Sequence, residues 1–125
     1  MNPRRTAVVI LAVTAFLSFA LTFPAKAQSQ GEMNAQAEAD FEKADKELNL
    51  VHQKVLKSAD DDLARQKLAA AQKAWIKFRD AQAEFDADAG RGGTIAPCLY
   101  AASKTDTTEQ RIAVLKRELT DPQGK

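Results

Sequence analysis

Three stretches of this chain carry apolar residues at alternating steps of three and four, a spacing that lines up side chains on one face of a helix and on no other regular structure. The first stripe runs Met33, Ala37, Phe41, Ala44, Leu48, Val51 and Val55, which predicts a helix over 30–57. Ser29 stands three residues before Glu32, the spacing of a capping box at the start of that helix. Its other face holds Glu38, Glu42, Lys43, Lys46, Glu47, Lys54 and Lys57, with Glu42 and Lys46 as an acid-first pair four apart, and should be solvated. The second stripe runs Ala64, Leu68, Ala71, Trp75, Phe78, Gln82, Phe85 and Ala89, flanked by Leu63 and Ile76, and predicts a helix over 60–89 started by Ser58 or Asp60. Trp75 is expected to fill the widest part of the core. The third runs Cys98, Ala101, Thr105, Thr108, Ile112, Leu115 and Leu119. It reads as one helix over 97–120, favoured over a break near Thr105 with a restart at the capping-box spacing of Asp106 and Glu109. Gly90 to Pro97 forms the one substantial loop, and Pro122 and Gly124 mark a frayed tail. The fold class that follows is all-α: a three-helix up-down-up antiparallel bundle, one domain over 28–125.

Ahead of the helices, Arg4 and Arg5 precede an uncharged apolar run from Ala7 to Phe23, and Ala25-Lys26-Ala27 offers small residues where a signal peptidase reads. Residues 1–27 are therefore expected to be a cleaved signal peptide. The competing reading is a retained anchor, since the run is at the short edge of what spans a bilayer. Cleavage implies a periplasmic or secreted protein with no stable membrane insertion. It also removes Arg4, Arg5 and Lys26, leaving 15 basic against 17 acidic side chains where the whole chain stands at +1. A near-neutral chain with interspersed signs lacks the concentrated positive field that phosphate backbones require, so nucleic acid is not an expected partner.

A domain this small buries only about two-thirds of its unfolded surface. Cys98, the one cysteine, cannot make an internal disulfide, so packing must hold the fold. Cys98 is either a small buried hydrophobe or a thiol able to pair with another molecule.

Catalytic chemistry finds little to work with. His52 is the one histidine and lacks partners for a metal site, while Asp60, Asp61 and Asp62 read as helix-start residues rather than converging ligands. The Gly92-Gly93 loop lacks the lysine and hydroxyl residue that complete a phosphate cradle. No metal, no cofactor and no enzymatic activity are expected. The unusual residues are polar ones beside the stripes: Asn34, Asp45 and Asn49 on the first helix, and Gln72, Arg79 and Asp80 on the second. Gln72, Trp75 and Arg79 share one helix face. They form either a partly buried network that fixes helix register or a recognition patch using Trp75 or Arg79.

At these residues the chain resembles the lysozyme-inhibitor LprI amino-terminal domain family. The resemblance rests on Gln30-Gly31-Glu32-Met33-Asn34 with Ala37, then Ala44-Asp45-Lys46-Glu47-Leu48-Asn49. It continues through Leu68, the run from Ala71-Gln72 to Arg79-Asp80, Gly92-Gly93-Thr94, and Thr108 with Arg111 and Leu115. Arg111 thereby joins the polar set. Family members usually carry cysteines at positions matched here by Gln36, Ala83 and Ser103, so the disulfide bracing of the family is missing and Cys98 does not replace it. The resemblance implies an exported binding protein, a lysozyme inhibitor that protects the cell wall. The glycine-rich loop, with Arg91, Gly92, Gly93, Thr94 and Ile95, would then be the recognition element. The alternative is a structural or stress-related envelope protein acting through protein association, a homodimer included.

Overall fold

The computed structural model describes residues 28–121. The expected signal peptide at 1–27 and the tail at Pro122 and Gly124 lie outside the described residues. Three α-helices follow one another: α1 (Gln30–Ser58), α2 (Asp62–Ala87) and α3 (Ala96–Thr120), with one 3-10 turn at Asp88–Gly90 before the loop into α3.

Local chemistry sets the helix ends. The Ser29 hydroxyl accepts from the Glu32 amide at 3.2 Å and the Glu32 carboxylate accepts from the Ser29 amide at 2.8 Å, so the capping box forms in full. The start of α2 falls two residues later than expected, at Asp62. Ser58 is still the last residue of α1, its hydroxyl donating back to the Val55 carbonyl at 2.9 Å, and Asp61 caps α2 by accepting from the Ala64 amide at 2.7 Å. Arg65 secures the turn by donating to the Ala59 carbonyl and to Asp62. Helix α3 runs unbroken through Thr105. The Thr105 and Thr107 hydroxyls donate to the carbonyls of Ala101 and Ser103 one turn back, so they are satisfied inside the helix and do not end it.

Interhelix bonds give the chain directions. Arg79 meets Asp45 and Arg65 meets Ala59, an opposite order along α1 and α2 and the turn between them. Arg111 meets Gln72 and Ser103 meets Asp86, opposite again for α2 and α3. Lys116 meets Glu47 and Asn34 meets Thr94, the same order along α1 and α3 with its approach loop. The broadest helix contact is α1 against α3; α2 lies mainly against α3, and its backbone approaches that of α1 only sparsely.

The core therefore sits between α1 and α3: Leu48, Val51 and Val55 against Ile112 and Leu115. Leu68, Trp75 and Leu119 pack on it while partly buried. The stripe expected on α2 is corrected here. Phe78 is 56% exposed, Phe85 75% and Leu63 58%, and Ile76 is also exposed, while the buried residues of α2 are Gln72, Arg79 and Ala83. The inward face is turned away from the large aromatics because it is built on a paired arginine, and a buried charge with partners replaces the apolar residues that periodicity looks for.

Candidate functional site

Arg79 lies at the middle of α2, 6% exposed, and everything around it is arranged to keep its charge. Its Nη1 donates to Asp45 of α1 at 2.9 Å, and its Nε donates to the adjacent Asp80 at 2.9 Å. The guanidinium carbon stands 5.0 Å from the centre of the Phe41 ring and 5.5 Å from that of Trp75. Phe41 receives a second cation, Lys104 of α3, at 3.6 Å. Asn49 donates to the other oxygen of Asp45 at 3.3 Å.

Two turns of α2 earlier, Gln72 is buried and accepts from Arg111 Nε at 3.1 Å. Arg111 lies 5.9 Å from the Trp75 ring, so Trp75, half-buried, sits between two arginine sites that hold all three helices. Of the polar residues singled out in the sequence, Asp45, Asn49, Arg79, Asp80, Gln72 and Arg111 thus join one network through Trp75. Asn34 stands apart: it donates to the Thr94 carbonyl at 3.2 Å and fastens the loop to the start of α1.

That loop is tightly packed at its base. A Cβ on Gly90 would come within 2.7 Å of Ile95 Cγ2 and 3.1 Å of Leu99 Cδ1, so only glycine lets the chain close there. Gly92 has φ +77°, the left-handed conformation glycine accepts without strain. Ile95 is half-buried; Arg91 and Thr94 are exposed, and Arg91 is held by two 2.6 Å bonds to Asp88. The positions matched to family cysteines carry other contacts. Ser103 donates to Asp86 at 2.6 Å, Ala83 is fully buried, and Gln36 donates to Asp40 on the surface.

A half-buried histidine completes the inventory. His52 Nε2 is enclosed and has no hydrogen-bond partner. Burial pushes its pKa below the ordinary histidine value, the Arg111 charge adds to this, and the Leu68 backbone opposes it. Cys98, half-buried, is the free thiol, and among the described residues no group of three histidine, cysteine or carboxylate side chains converges as a metal site.

The interior network has its hydrogen bonds directed at itself, so its chemistry is to fix three helices in register. The outward chemistry lies elsewhere, on features periodicity did not single out as exposed. Phe78 and Phe85 stand two turns apart on the outer face of α2, with Leu63 on the same side, and Phe85 is one turn from the 3-10 turn that opens the loop.

A small all-helical protein with an arginine-locked interior and an aromatic outer face is the class this defines. The chain belongs to the family described as Lysozyme inhibitor LprI, whose match covers residues 24–115. It is similar to an uncharacterized protein of Rhizobium meliloti (strain 1021), at 35% identity over 103 residues, covering 73% of this chain and 74% of that protein. No solved structure matches it. No helix among the described residues is long and apolar enough to cross a membrane.

Proposed function

We propose that the chain is exported, loses residues 1–27, and acts in the periplasm or outside the cell as a binding protein that inhibits lysozyme, without catalysis of its own. The observation that carries the reading is the exposed pair Phe78 and Phe85, two turns apart on α2, with Phe85 one turn before the 3-10 turn that opens the Arg91 to Ile95 loop. Large aromatics left in water on a domain this short of core are out of place unless a partner covers them, and aromatic anchors dominate protein interfaces. Membership of the LprI family supports lysozyme as that partner. Glu84, exposed beside Phe85 and in none of the ion pairs among the described residues, favours approach of a basic protein such as lysozyme. Arg91, Gly92, Gly93, Thr94 and Ile95, on the loop that follows α2, are the second recognition element of this reading.

Residues 28–125 at micromolar concentration should slow a muramidase assay. The double variant Phe78→Ser, Phe85→Ser should lose that effect while melting close to the parent, because exposed truncations change stability by no more than about 0.5 kcal/mol. An unchanged muramidase rate with the parent protein, or full inhibition by the double variant, overturns the proposal. A second copy is the other occupant this face supports, since Leu63, Phe78 and Phe85 run nearly the length of α2; sedimentation of the parent and double variant separates the two.

A further inference from the structure

Where the end of α1, the start of α2 and the later turns of α3 meet, the surface is concave, with a cleft of about 330 Å³. Its volume falls in the range of small-molecule sites. Val55, Leu68, Val114 and Leu115 give it an apolar floor, and Arg111, Asp60 and Glu118 supply charge of both signs around it.

Arg111 is the informative residue. It is half-buried, its Nε donates to the neutral Gln72, and none of the ion pairs among the described residues engages it. The contrast with Arg79 is direct. Arg79 is surrounded by two carboxylates, whereas burial of Arg111 works against its charge with only the more distant Glu118 in support. A guanidinium has five N–H donors in a planar fork, and the terminal nitrogens of Arg111 have no protein acceptor among the described residues. A carboxylate fits that fork with two parallel bonds.

The acids then narrow the ligand. A simple carboxylate would bring a negative charge toward Asp60 and Glu118, and a simple amine would face Arg111. A molecule carrying both groups opposes neither. We propose that this cleft binds a small zwitterion with an apolar side chain, an apolar amino acid or dipeptide with free termini, its carboxylate on Arg111, its ammonium toward Glu118 and Asp60, and its side chain on Val55, Leu68 and Leu115.

Trp75 provides the reporter, being the one tryptophan and 5.9 Å from the Arg111 guanidinium. Titration of the purified protein with L-leucine should change Trp75 emission saturably, with half-saturation at about 1 mM or below, as expected for a ligand of this size. The same side chain with one charge, as 4-methylpentanoate or as 3-methylbutylamine, should bind at least about tenfold more weakly. Arg111→Met should abolish the response, and Glu118→Gln, at an exposed position that leaves the packing alone, should weaken leucine while leaving 4-methylpentanoate no worse. Absence of a saturable response to leucine in both emission and calorimetry overturns the proposal. So does equal binding of leucine and either analogue, or undiminished leucine binding by Glu118→Gln. If Arg111→Met fails to fold, the Glu118→Gln and analogue comparisons still decide. Lysozyme takes no part in this titration, so its failure and that of the inhibitor reading are separate events.

Discussion

Truncating Arg79 separates the packing of its stem from the pairing of its head. Arg79→Ala removes two methylenes from a buried site, worth about 0.8 kcal/mol each, and two ring contacts worth about 0.5–1 kcal/mol each. It also removes the ion pairs to Asp45 and Asp80. Those carboxylates are 38% and 42% exposed, so water can take up the charge that is left behind, and each pair is worth only about 0.5–1 kcal/mol. Against these losses, a guanidinium no longer has to be desolvated. The net expectation is a loss of about 2–4 kcal/mol. Arg79→Met keeps the stem against Phe41 and Trp75 and removes the charge, and should cost about 1–2 kcal/mol. A domain of this length has a total stability of about 5–14 kcal/mol, so the alanine variant should melt well below the parent, by about 4–8 °C per kcal/mol. Urea denaturation followed by circular dichroism, with the two variants beside the parent, reads both numbers. Equal destabilisation by alanine and methionine would refute the division between stem and head, and a loss below about 1 kcal/mol for alanine would refute the clamp itself.

Two further outcomes follow from the structure. Gly90→Ala forces a methyl against Ile95 and Leu99 and the Ala96 backbone nitrogen, and should cost about 1–3 kcal/mol; a melting temperature equal to the parent would show that the loop base is looser than drawn. His52 has a lowered pKa in the folded state, so the unfolded chain binds more protons and stability should fall as pH drops from the ordinary histidine value of 6.5 toward the folded value, with little change above it. His52→Asn should flatten thermal stability across that window, and an unchanged slope between about pH 7.5 and 5.5 would remove His52 as its cause.

Much of this architecture is legible in the residues, for identifiable reasons. The stripes of α1 and of the later half of α3 are read correctly because Phe41, Leu48, Val51, Ile112 and Leu115 are both apolar and buried. The Ser29 cap is legible because its chemistry is local. The face of α2 is misread because its inward residues are polar, with Arg79 and Gln72 satisfied by Asp45 and Arg111 from other helices, and no local pattern announces partners 34 and 39 residues away. The spacing of Gln72, Trp75 and Arg79 did carry the right face; size and apolarity drew attention to Phe78 and Phe85 instead. The cleft beside Arg111 has no sequence signature, since Val55, Leu68 and Leu115 come together only when three helix ends converge.

The pairing of α1 with α3 also sets an order in time. Leu48, Val51 and Val55 have their main apolar partners in Ile112 and Leu115, and the surface bond from Glu47 to Lys116 closes a span of 69 residues. A nascent chain that ends before Ile112 has made two helices and the turn between them but has no second wall for its core. Contacts so distant in sequence form only after a long loop has closed. The first helix thus lacks its second wall until α3 is available, and Ile112 and Leu115, far along the chain, are what make it stable.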